Sequence, residues 1–164
     1  MFNPPKAYLI TITGYGTRLH GDERGTVDET HNVYGTDPAP ADEIRHAHRQ
    51  DELTEPALKF DAAVRGCIER AMRQHCEFRG WHLYAINVRT NHVHIVVAAL
   101  AESDKMATQF KAYATRALRK EGLIGNRRHV WTEGASKRNL FTDEAVASGC
   151  NYVMFAQGPD LPKL

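Results

Sequence analysis

The chain is 164 residues long, with 42% hydrophobic and 25% charged side chains, proportions that fit one globular domain with a continuous core. No apolar run reaches membrane-spanning length, the opening Met1-Phe2-Asn3-Pro4-Pro5 lacks the regions of a secretory signal, and Cys67, Cys76 and Cys150 form no CxxC pair. A membrane protein, a disulfide framework and a zinc knuckle are thereby disfavoured, and a reduced, cytoplasmic protein is expected.

The net charge is only +1, but it is unevenly spread: nine basic residues lie between Lys105 and Arg138 against two acidic ones, Glu121 and Glu133. That pattern fits a phosphate-rich partner meeting one face, and equally a solvated helix surface.

In chain order, Ala7–Thr13 reads as a strand of β-branched and aromatic residues closed by Gly14 and Gly16. From Tyr15 to about Pro56 periodicity disappears, and the stretch reads as a long loop. A helix is predicted to start near Pro56, capped by Thr54 or Glu55, with Phe60, Val64, Cys67, Ile68, Ala71 and Met72 as its buried stripe and Gly80 as its stop. Trp81–Val88 and His92–Ala99 read as two strands joined by the short turn Arg89-Thr90-Asn91. A second helix is expected from Ser103 to Lys120, buried through Met106, Phe110, Tyr113, Ala114 and Ala117. A fourth strand is expected at about His129–Thr132, and a last helix at about Thr142–Ala156, opened by Asp143-Glu144 and ended by Gly158-Pro159. The resulting order predicts an α+β fold: one ferredoxin-like βαββαβ sandwich over residues 1–164, with an antiparallel sheet, an added C-terminal helix and the 15–56 loop as an insertion.

On a strand, residues two apart share a face, so His92 and His94 project together and could bind one divalent ion. A bare pair of this kind reads first as partly exposed histidines on a sheet, and His46-Ala47-His48 repeats the spacing in the polar stretch. The context of His92 and His94 is stronger: a central strand after a tight turn, a basic segment, then Tyr152 on a terminal helix.

Asn91-His92-Val93-His94-Ile95-Val96-Val97 resembles the histidine-hydrophobe-histidine signature of the HUH endonucleases. The whole chain resembles their single-tyrosine transposases, including the REP-associated and insertion-sequence members. ITITGYGTRLHGDERG is similar to the family's first strand and loop, KAYATRALRKEGL to its basic helix, VWTEGASKRNL to its next strand and turn, and NYVMFAQG to its tyrosine-bearing helix.

The resemblance implies that His92 and His94 bind Mg²⁺ or Mn²⁺, with a polar residue of the last helix completing the set. It further implies that Tyr152 attacks single-stranded DNA at a hairpin or repeat-associated site, giving a 5′-phosphotyrosine link that a later strand reverses. Tyrosine needs such help, because its hydroxyl is a weak nucleophile at neutral pH. Many relatives place an amide four residues after the tyrosine, where this chain has Ala156. Gln157 lies about 140° round an ideal helix from Tyr152 and becomes the third ligand if the helix loosens before Gly158; Asn151 and water are the competing readings.

Tyr113 is the rival nucleophile but carries core spacing, and Trp131 reads as core before base-stacking. Arg18, Arg24, Lys105, Lys111, Arg116, Arg119, Lys120, Arg127 and Arg128 are the candidate DNA contacts. Relatives include dimers that exchange the tyrosine helix as well as monomers, so a homodimer stays open. No Walker-type loop is present and GYGTRLHG is not a GxGxxG turn, so no nucleotide cofactor is expected. A ferredoxin-like nucleic-acid-binding module without catalysis is the alternative function.

Overall fold

The protein is described here by a computed structural model covering residues 3–17 and 54–163. Most of the expected 15–56 loop, with Arg18, Arg24, His46 and His48, falls outside the described residues. Within them the order is β1 (Ala7–Thr13), α1 (Ala62–Arg79), β2 (His82–Val88), β3 (His92–Ala98), α2 (Ser103–Lys120), β4 (Ser136–Leu140) and α3 (Asp143–Phe155). The strands form one sheet in the order β2-β3-β1-β4, and every neighbouring pair is antiparallel. This is the expected ferredoxin-like arrangement with its additional terminal helix.

Both faces of the sheet are covered, which explains why its central strands are apolar on both sides. Ile10 and Ile12 of β1 and Val93, Ile95 and Val97 of β3 pack against α1 and α2 in the larger core. Their alternates Ala7, Leu9 and Val96 meet Val146 and Val153 of α3 in a smaller one. The β2–β3 register shifts between Leu83 and Ala85, so Leu83 packs with the two-helix core while Ala85 belongs to the α3 side. A bulge of this kind re-aims the residues around it.

α1 begins later than the sequence predicts. Asp61 is its N-cap, its carboxylate accepting the Val64 N–H at 2.9 Å, and Gly80 closes it in the left-handed region at φ 68°. Residues 54–60 are not helical, because long-range partners take up their polar groups. Leu58 N–H bonds Tyr15 O at 2.8 Å and Phe60 N–H bonds Thr90 O at 2.6 Å, while the Glu55 carboxylate accepts N–H groups of Arg128 and His129. Phe60 is buried as expected, but from this non-helical segment: its ring meets Trp131 edge-on and lies 2.9 Å from where a Cβ on Gly14 would stand.

The fourth strand is also displaced. Trp131 makes only an isolated bridge to Gly14, and the strand that pairs with β1 is Ser136–Leu140. Its sequence, SKRNL, gives no hydrophobic alternation because it is a sheet edge, where polar and charged side chains are the norm.

Candidate metal and tyrosine site

Strand alternation puts His92 and His94 on the sheet face that α3 covers. In the pairing register Asn87 of β2 stands opposite His94, Thr11 of β1 stands opposite His94 on its other side, and Ser136 of β4 stands opposite Thr11. A polar row therefore crosses the sheet beside the apolar patch of Ala7, Leu9, Ala85 and Val96 that α3 covers. His94, only 5% exposed, needs partners at both ring nitrogens, since a buried polar atom left unpaired is costly. Its Nδ1 lies 2.7 Å from Thr11 Oγ1 and its Nε2 lies 3.0 Å from Gln157 Oε1.

His92 is held in the same manner. Its Nδ1 lies 2.6 Å from Asn91 Oδ1 and its Nε2 lies 3.5 Å from the same Gln157 Oε1. The two imidazole rings stand 4.5 Å apart at 69°. Because an amide oxygen only accepts, Nδ1 of a neutral His92 carries the proton and its Nε2 presents a lone pair. Gln157 Oε1 faces the Nε2 atoms of both rings. The amide is oriented this way by Gln157 Nε2, which donates to Tyr152 O at 3.0 Å. The two ring Nε2 atoms and the amide oxygen converge on one point, where a cation would replace the present imidazole–amide contacts, and the outward Nδ1 partners are of the kind that orient metal-binding histidines. Among the described residues no group of three or more His, Cys, Asp or Glu side chains could hold a metal; the Gln157 amide oxygen lies within 3.5 Å of both ring Nε2 atoms.

Gln157 reaches the histidines because α3 ends at Phe155. Ala156 leaves helical geometry at φ −104°, ψ 19°, and the next residue swings back over the sheet. The start of α3 is fixed by Thr142, whose hydroxyl accepts the Ala145 N–H at 3.0 Å. Tyr152 projects from the same helix, 37% exposed, with its ring centroid 5.3 Å from that of His94. Asn151 is exposed on α3.

Tyr113 is brought to a different place. It belongs to α2, on the opposite face of the sheet, and it is not a core residue: it is 36% exposed, stacked on His75 at 4.1 Å and covered by Arg116. Trp131 has the packing role expected of it, donating from Nε1 to Thr115 Oγ1 at 3.0 Å.

The basic residues divide. Lys105, Arg116, Arg119, Lys120 and Arg128 are exposed, and Arg116 and Arg119 line a shallow depression on α2 with Thr108 and Thr115. Lys111 is turned inward instead, donating to Thr132 O at 2.9 Å and to Gly134 O; burial, and then Lys137, hold its pKa below the usual lysine value. Arg127 is spent on the carbonyls of Pro56 and His129. The helix-borne cations thus lie across the sheet from the histidine pair.

Sequence reasoning missed Thr11, Asn87 and Asn91. Asn91 adjoins the pair and was within reach of a local reading. Thr11 and Asn87 become visible only with the strand register.

No curated protein matches the chain. Two solved structures are similar to it: a REP-associated tyrosine transposase bound to a REP hairpin, and a candidate transposase of Deinococcus radiodurans R1. The first shares 10% identity over 93% of this chain and 67% of that one, with a TM-score of 0.47. The second shares 12% identity over 93% of this chain and 91% of that one, also at 0.47. The family model described as "Transposase IS200 like" matches residues 57–145. That match spans over half of the chain and includes the hairpin bearing both histidines, so the chain belongs to the IS200-like transposase family.

Proposed function

We propose that this transposase nicks and rejoins single-stranded DNA, with His92, His94 and Gln157 holding Mg²⁺ or Mn²⁺ and Tyr152 as the nucleophile. The observation that carries the reading is the convergence of His92 Nε2, His94 Nε2 and Gln157 Oε1 within 3.5 Å, beside the ring of Tyr152. When bound, the dication supplies Lewis-acid stabilisation of charge on the scissile phosphate. The chain's own groups supply the rest. Tyr152 Oη forms the ester bond to phosphorus as the P–O3′ bond breaks, and the leaving oxygen takes up a proton to become a 3′-hydroxyl. The bond energy is kept in the 5′-phosphotyrosine, so a second 3′-hydroxyl reverses the step and releases the enzyme. Thr11 and Asn91 keep the imidazole lone pairs aimed inward, and Gln157, bonded to Tyr152 O, links the ligand set to the nucleophile's helix. The substrate is single-stranded DNA at a hairpin or repeat-associated site, and DNA transposition is the biological outcome.

The test is to incubate the protein with single-stranded hairpin DNA and Mn²⁺ and resolve the products on a denaturing gel. A covalent adduct is expected with the wild type, and none with Tyr152→Phe. His92→Ala should lower its yield by orders of magnitude, whereas His46→Ala should leave it unchanged. An adduct formed by Tyr152→Phe would defeat the nucleophile assignment. DNA binding without any adduct would favour a non-catalytic nucleic-acid module.

A further inference from the structure

We propose that Asn87 and Arg89 are positioning residues that hold the turn after α3 so that Gln157 Oε1 faces the two histidines. The proposal rests on the metal reading above and extends it to residues that touch neither metal nor substrate. The amide departs from the helix it follows: α3 stops at Phe155, and Gln157 occupies a position one residue beyond a full turn from Tyr152. Something must hold that departure. The bonds from Ala156 N–H and Gln157 Nε2 both run to Tyr152 O. They return to the turn's own helix and so fix nothing relative to the sheet.

Two side chains do fix it. Asn87 Nδ2 donates to Val153 O at 2.8 Å, before the turn, and Arg89 Nη2 donates to Pro159 O at 2.9 Å, after it. Val153 O is a carbonyl in the last turn of α3, where intrahelical donors run out. Asn87 lies near the end of β2 and Arg89 one residue beyond it, so both donors come from the same end of the same edge strand. They therefore bracket Gln157 from a single edge of the sheet. Gly158 between Gln157 and Pro159 has φ +85°, and a Cβ there would lie 3.9 Å from Arg89 Nη2. The left-handed residue thus turns the chain back toward the guanidinium, a conformation that glycine adopts without strain.

Asn87 also stands opposite His94 in the register. One stretch of chain, residues 87–94, therefore carries both histidines, the Asn91 that orients the first, and the two donors that seat the third ligand. Apart from Thr11, which meets His94 from β1, the groups that orient the set lie in this one stretch, although Gln157 is 63 residues from His94. A ligand whose position is not fixed loses conformational entropy when it binds, and substituting the residues that orient metal ligands typically costs about 10- to 100-fold in affinity.

The experiment measures Mn²⁺ affinity of the full chain by titration followed by electron paramagnetic resonance, without DNA. Arg89→Met keeps the apolar stem and removes the donor; Asn87→Ala removes the other donor and repeats the test should the first variant prove unstable. Each is expected to weaken Mn²⁺ binding about tenfold, and Arg89→Lys to recover part of the loss. The decisive readout is the cycle with Gln157→Ala, because residues acting through one another are not additive. In that background Arg89→Met should cause no further weakening, whereas a merely structural role would add its full effect. Unchanged affinity in Arg89→Met and Asn87→Ala, or additivity in the cycle, would overturn the proposal and leave the metal reading intact. A wild type that does not bind Mn²⁺ would overturn both.

Discussion

At the scale of single residues, the proposed metal centre requires its side chains to be oriented as well as present. Thr11→Val removes the hydroxyl 2.7 Å from His94 Nδ1 at nearly constant volume. Mn²⁺ affinity is expected to fall about tenfold, as followed by the same titration, with the folded state retained by circular dichroism. Wild-type affinity in this variant would show that His94 needs no such partner. His92 and His94 were legible in the sequence because strand alternation is a local rule. Gln157 was legible only through the family resemblance and the allowance that its helix ends early. Thr11 and Asn87 were not legible, because what makes them matter is the strand opposite each of them. Tyr113 misled in the other direction: its helical spacing points inward, yet its ring lies over His75 at the surface.

At the scale of elements, caps and edges decided where reading succeeded. α3 was placed within a residue at each end, since Thr142, two acidic residues and Gly158-Pro159 are signals carried by the element itself. The start of α1 was misplaced because residues 54–60 take their hydrogen bonds from Tyr15 and Thr90, which no local pattern reveals. The structure assigns the cap to Asp61. Asp61→Ala is therefore expected to destabilise the protein by about 1 kcal/mol, measured as a lowered urea midpoint, while Thr54→Ala should have little effect. β4 was misread for a similar reason. The apolar Val130-Trp131 segment packs against the core without joining the ladder, and the polar SKRNL completes the sheet from its edge.

For the molecule as a whole, the two faces of one sheet carry different burdens. The larger core, between the sheet and the α1–α2 layer, holds Cys67 and Cys76, whose thiols burial pushes up from the ordinary 9.0 to about 11. Since these groups keep their protons longer when folded than when unfolded, they favour the folded state below about pH 9. That contribution is lost as pH rises toward about 11. The urea midpoint should accordingly fall over this range, and less steeply in Cys67→Ala/Cys76→Ala than in the wild type. The other face holds the smaller core and everything proposed for catalysis, with the nucleophile and third ligand both supplied by the last helix and its turn.

That division bears on how the protein opens. α3 rests on the smaller core, and regions with less buried apolar contact open at lower free energy than the rest of a domain. The proposed centre is therefore expected to come apart by undocking of α3 while the α1–α2 layer stays folded. A ligand that binds only the closed form should resist this opening in proportion to its affinity. Saturating Mn²⁺ is expected to slow amide hydrogen exchange in α3 severalfold and to leave exchange in α1 nearly unchanged. Equal protection of both helices would mean that the terminal helix and the main core open as one unit.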